Sequence, residues 1–189
     1  TTLFRSGLPV VCAILCPVFL LLNAMTQPVY NVLFVCTGNS VRSVMAECLM
    51  NHLGAGRFRA FSAGSMPNGT VNPQALATLD SLGVPAVGVR SKSWAEFSQA
   101  GAPVLDFIFT VCDRAHGEVC PVWPGQPVSA HWGVADPGDM PAQSPAEVEK
   151  NFRDAAYTLK RRIELFMALP FDSLDQLSLQ AHAHRIGQE

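Results

Sequence analysis

The chain has 189 residues, 49% apolar and 15% charged, which suits one packed domain and argues against disorder. Its net charge of −2 creates no field for nucleic acid or an anionic membrane, so any anion must be held by a local site. Six cysteines, at 12, 16, 36, 48, 112 and 120, lack the dense spacing of a disulfide framework, and reduced thiols in the cytoplasm fit better.

Residues 1–28 read as an apolar N-terminal extension. Leu8 to Leu22 is an unbroken apolar run after Arg5, shorter than the roughly 20 residues that span a bilayer. Two readings stay open: a stretch upstream of a start at Met25, or a secretory signal or short anchor. The first is preferred, and membrane association is not expected.

Residues 29–170 carry the domain. Tyr30 to Val35 is a continuous apolar, β-rich run, the mark of a buried parallel strand. Val41 to Leu53 has helical spacing, and Phe58 to Ser62 is a second strand closed by Ala63-Gly64. Asn72-Pro73 opens a helix that Gly83 ends. A short helix near Trp94 to Gln99 precedes a third strand, Leu105 to Val111, and a fourth, Val128 to Trp132. Ser144-Pro145 starts a long helix with an apolar stripe from Val148 through Phe152, Leu159 and Ile163 to Met167. Residues 171–189 form a C-terminal helical tail, expected to pack on its own domain. The alternation predicts an α/β fold: a single three-layer domain, a four-stranded parallel sheet with helices on both faces.

Between the first strand and the first helix lies Cys36-Thr37-Gly38-Asn39-Ser40-Val41-Arg42-Ser43. Each residue type has a use if the ligand is a tetrahedral oxyanion. Gly38 and Asn39 tolerate the left-handed backbone that turns successive N–H groups into one bowl. The following helix adds its dipole, and the planar fork of Arg42 takes two oxygens. Cys36 amid such donors is expected to be a thiolate nucleophile, with Ser43 donating to its sulfur. A nucleotide loop is excluded, because the Gly-Lys-Ser/Thr ending is missing.

His131-Trp132-Gly133-Val134-Ala135-Asp136-Pro137 is the second signature. Pro137 forces Asp136 into an extended conformation, and a carboxyl in so rigid a loop can act as general acid. Cys112 ends the third strand as Cys36 ends the first, so parallel pairing brings both thiols to the same sheet edge. Cys120 follows after DRAHGEV and could meet Cys112 only if that segment folds back. Cys112, His116 and Cys120 could instead hold zinc, or the cysteines could be inert; Cys48 reads as core.

Together these motifs resemble the low-molecular-weight tyrosine phosphatases and the arsenate reductases that share their fold, over about Val29 to Phe166. The resemblance implies Cys36 as nucleophile, Arg42 as oxyanion clamp, Asp136 as acid, and Thr37 through Ser43 as the oxyanion loop. It also implies a relay for arsenic detoxification: Cys112 attacks the Cys36 adduct, arsenite leaves, and Cys120 passes the disulfide to an external dithiol, thioredoxin more readily than glutaredoxin or a small thiol. No bound cofactor is expected. The resemblance places oxygen ligands of a structural cation at Asn39, Glu47 and Ser62, but Ser93 stands where the acidic member belongs, so no metal is assigned. The phosphatase branch has tyrosines after Asp-Pro, whereas this chain has Gly138 and Asp139. The alternatives are a phosphatase for phosphotyrosine or small phosphoesters using Cys36, Arg42 and Asp136, and an arsenic-binding or redox-sensing regulator.

Overall fold

A computed structural model describes residues 28–117 and 122–189; the apolar run, Met25 and Cys120 lie outside the described residues. Four strands, β1 (Tyr30–Cys36), β2 (Phe58–Gly64), β3 (Phe107–Thr110) and β4 (Val128–His131), pair in parallel in the order β2-β1-β3-β4. Consecutive residues Val32, Leu33, Phe34 and Val35 are all fully buried, which requires cover on both faces of the sheet and explains the unbroken apolar run. The fold is the expected α/β sandwich. β3 is shorter than its apolar pattern suggested, and just before it the Asp106 carboxylate accepts the N–H of Asn31 at 2.7 Å.

The helices are α1 (Arg42–Leu53), α2 (Pro73–Ser81), α3 (Asp113–His116), α4 (Pro145–Met167) and α5 (Gln176–Ile186), with a 3-10 turn at Trp94–Ser98. Asn72 and Ser144 cap α2 and α4 as their Asn-Pro and Ser-Pro pairs predict, each accepting an N–H of the first turn. The stripe of α4 is buried at Phe152, Ala155, Ala156, Leu159, Ile163 and Phe166. Two boundaries differ from expectation. The last helix starts at Gln176 with Asp175 as its cap, because Phe171 is drawn into an aromatic cluster with Tyr30, Phe58 and Phe166. The segment after Cys112, read as a loop, opens with the single turn α3.

Trp132 locks the far edge. Its ring is fully buried and stacks on Phe109 at 3.9 Å between centroids, and its Nε1–H donates to the Ala183 carbonyl of α5 at 2.9 Å. Trp132→Phe keeps a ring in the stack but removes the indole donor, leaving the Ala183 carbonyl only the longer bond from the Gly187 N–H at 3.3 Å. We expect a loss of about 1–2 kcal/mol by urea unfolding, with faster amide exchange confined to α5. Unchanged α5 exchange would show that the bond does not hold the helix.

Candidate active site

The strand order turns back at β1 and β3, and the crevice beyond their carboxyl ends is where such sheets hold ligands. Val35 pairs with Thr110 across that junction, so Cys36 and Cys112 both emerge there. A cleft of about 560 Å³ opens between them. It is lined by Cys36, Thr37, Gly38, Ser40, Val41, Arg42, Cys112 and Asp136, and also by Met66, Asn68, Asp113, Arg114 and Asp139.

The loop's shape follows from where its carbonyls go. Those of Thr37, Gly38 and Ser40 accept from the N–H groups of Met66, Asn68 and Asn72 at 2.9–3.0 Å. A trans peptide is planar with C=O and N–H opposed, so the amides of Gly38, Asn39 and Val41 are aimed the other way. Val41, at the head of α1, provides no side-chain cap, which leaves the helix's first donors for a ligand. Asn39 adopts the left-handed backbone expected of it, with φ 43°. Its side chain and that of Ser43 do not line the cleft. Both are fully buried beneath the loop, where Asn39 Nδ2 donates to Ser43 Oγ at 2.9 Å. Ser43 thus serves as an acceptor in the loop's floor.

The thiols form a pair. The Cys36 sulfur lies in hydrogen-bond contact with Cys112, and Cys36 is pushed far above the ordinary thiol range by that contact and by burial, against the pull of Arg42 and the Gly38 N–H. Cys112 is brought down to about 5 by the hydrogen bond from Cys36, assisted against burial by Ala115 N–H and by Thr37. Cys112 caps α3, its sulfur accepting the Ala115 N–H at 3.4 Å, and Thr37 Oγ1 lies 3.7 Å from it. Two touching sulfurs in a buried site share one proton, so the pair is expected to hold a single negative charge between Cys36 and Cys112. Thiolate ultraviolet absorbance, as the difference between wild type and Cys112→Ser, should show an inflection near pH 5. Cys36→Ala removes the largest lowering cause and should move the Cys112 inflection upward. An unmoved inflection would break the pair apart. Cys48 is separate: burial lifts it to about 12, as suits an inert core thiol.

Arg42 is engaged before any anion arrives. One nitrogen donates to the Val134 carbonyl at 2.9 Å, and another pairs with Asp136 Oδ2 at 2.5 Å. Its Nε is buried without a partner. Arg162 of α4 braces this loop by donating to the Gly133 carbonyl at 2.9 Å. Each residue of His131-Trp132-Gly133 has its own reason. His131 joins Thr110 to Asp113 at 2.9 and 3.0 Å, Trp132 anchors α5, and at Gly133 a Cβ would lie 2.6 Å from His131 Nε2 and 2.7 Å from Asp113 Oδ1, so a side chain there would push that pair aside.

The oxygen group beneath the loop does not fit a bound cation. Glu47 Oε2 accepts the Ser62 hydroxyl at 2.5 Å and faces the Lys92 ammonium at 3.5 Å, so a positive charge is already there. Ser93 caps the 3-10 turn, accepting from Ala95 N–H. Lys92, Asn68, Asp113 and Arg114 carry no signal in the sequence that could have singled them out, because only the fold brings them to the loop. Cys120 lies outside the described residues, and among those described no helix is long and apolar enough to cross a membrane.

A thiol at a strand end, an uncapped helix terminus and an arginine-carboxylate pair meet at the switch point of a parallel sheet, where enzymes of this fold class hold their ligands. The chain belongs to the low molecular weight phosphotyrosine protein phosphatase family, which it matches over residues 31–176. It is similar to arsenate reductase 2 of Staphylococcus epidermidis, 29% identical over 132 residues that cover 70% of this chain and 97% of the relative. It is likewise similar to the glutaredoxin arsenate reductase of Synechocystis sp., 29% identical over 73% of this chain and 96% of the relative. Among solved structures, an arsenate reductase in the phosphate binding state superposes with a TM-score of 0.61 at 29% identity, covering 74% and 97% of the two chains.

Proposed function

We propose that this protein reduces arsenate to arsenite, with Cys36 as nucleophile and Cys112 and Cys120 as the disulfide relay, and that an external dithiol protein restores the thiols. The observation that carries the reading is the contact between the Cys36 and Cys112 sulfurs at the mouth of the oxyanion loop. Phosphoester hydrolysis has no use for a second thiol there, whereas arsenate reduction must dispose of two oxidising equivalents. The named relatives support the substrate, and the glutaredoxin-linked one supports a thiol-protein partner, with thioredoxin the expected class.

The chemistry balances as follows. The oxyanion takes the loop amides and Arg42, displacing Asp136 from its ion pair. Cys36 gives its proton to Cys112 and attacks arsenic, and an arsenic-bound oxygen leaves as water with a proton delivered through Asp136. Cys112, having passed its proton to solvent, then attacks the Cys36 sulfur. The S–As electron pair stays on arsenic, which departs as arsenite, and a Cys36–Cys112 disulfide remains. Cys120 attacks Cys112, freeing Cys36, and the Cys112–Cys120 disulfide passes to the dithiol partner. Such a relay needs a reducing compartment and suits arsenical resistance in the cytoplasm.

Exposure of the reduced protein to arsenate without reductant, followed by non-reducing peptide mapping, tests this. We expect one arsenite per chain and a Cys112–Cys120 disulfide. Recovery of free thiols with arsenate unchanged would overturn the reading. The second reading, a phosphatase, is favoured by the Arg42–Asp136 pair in the cleft, which would serve a phosphoester equally well. Gly138 and Asp139, which replace an aromatic wall, count against phosphotyrosine.

A further inference from the structure

Four residues under the oxyanion loop close a ring of contacts. The Lys92 N–H donates to Asn39 Oδ1 at 2.7 Å, and Asn39 Nδ2 donates to Ser62 Oγ at 2.8 Å. The Ser62 hydroxyl donates to Glu47 Oε2 at 2.5 Å, and that carboxylate faces Lys92 Nζ at 3.5 Å. The ammonium also donates to the Arg90 carbonyl at 3.3 Å. Lys92 is 8% exposed, an unusual place for a lysine, and the Glu47 side chain is 13% exposed.

We propose that Lys92 is a positioning residue whose ammonium is the built-in cation of the oxyanion loop. Two physical needs meet in it. Asn39 holds a left-handed backbone that L-residues seldom adopt, and such a conformation persists only where the surroundings over-determine it. The ring fixes both ends of the Asn39 amide and so supplies that constraint. Glu47 must also be neutralised. An unpaired carboxylate just beneath a loop that receives anions would oppose the ligand and would be costly to bury. The lysine cancels the charge from inside the fold, so the loop requires no ion from solution. The inference rests on the anion-binding reading of the loop, not on arsenate reduction.

The test measures phosphate binding to the full chain by calorimetry, in choline chloride and in potassium or ammonium chloride. Wild type should bind equally in all three salts. Lys92→Met should bind phosphate about tenfold more weakly in choline and recover in potassium or ammonium, because the carboxylate, the Ser62 hydroxyl and the Arg90 carbonyl then offer oxygen ligands to a small monovalent cation. A lysine that merely filled space would give no recovery by ions. A wild type that gains affinity from potassium overturns the proposal, as does a Lys92→Met variant with wild-type affinity in choline or a deficit that neither ion relieves. Should Lys92→Met fail to fold, the neutral pair Glu47→Gln with Lys92→Met carries the test. It should bind phosphate within a few-fold of wild type in every salt, and loss of binding there overturns the role of charge cancellation. A wild type that binds phosphate but reduces no arsenate would remove the proposed function and leave this inference standing.

Discussion

Cys112→Ser should abolish multiple-turnover arsenate reduction, by at least about 10³-fold, while leaving any hydrolysis of small aryl phosphates intact. The loop, Arg42 and Asp136 are untouched by the change, so oxyanion capture survives. What is lost is the thiolate that attacks the Cys36 sulfur, and a serine hydroxyl cannot form a disulfide. Cys36 also loses the partner that contributes most to raising it, so its own ionisation should shift downward. Cys120→Ser differs in kind: it should release one arsenite and trap a Cys36–Cys112 disulfide visible by non-reducing mass mapping. Thioredoxin-coupled turnover of wild-type rate in the protein lacking both Cys112 and Cys120 would sink the relay and leave a phosphatase.

Gly64→Ala should damage the oxyanion loop without touching a reacting group. A Cβ at the end of β2 would press into the Thr37 carbonyl and lie 3.0 Å from both the Asn39 Cβ and the Cys36 carbonyl. Two of these are backbone atoms of the oxyanion loop, which cannot swing aside as a side chain would. The Thr37 carbonyl is further held by the Met66 N–H at 3.0 Å, and Gly64 itself donates to Lys92 O at 2.9 Å. The loop must therefore shift as a body, at a cost of about 2–3 kcal/mol in stability. Phosphate affinity should fall with it, because the Gly38 and Asn39 amides are carried on the displaced segment. Urea unfolding and phosphate calorimetry on the same variant provide the check. Wild-type values in both would mean that the β2 end does not support the loop.

Some of this was legible in the chain itself, for identifiable reasons. A fully buried parallel strand needs apolar residues on both faces, so Tyr30 to Val35 announces its own position. The Asn72-Pro73 and Ser144-Pro145 pairs fix helix starts by local backbone chemistry alone. The Cys36 to Ser43 segment is likewise local, since the loop, its left-handed Asn39 and the helix that follows are contiguous, and periodicity and turn propensity reach that far. Pro137 constrains Asp136 through the adjacent peptide. What no local pattern contains is the partner of each group. The charge state of the thiols depends on a residue 76 positions away, because Cys36 and Cys112 meet only when β1 and β3 pair. The engagement of Arg42 by Asp136, the burial of Asn39 and Ser43 below the loop, and the Lys92 ammonium beneath it have the same origin. Desolvation and Coulomb interactions act over a few ångströms in space without regard to chain separation, so the residue types determined which chemistry was available, and the tertiary structure alone decided which atoms hold the charge.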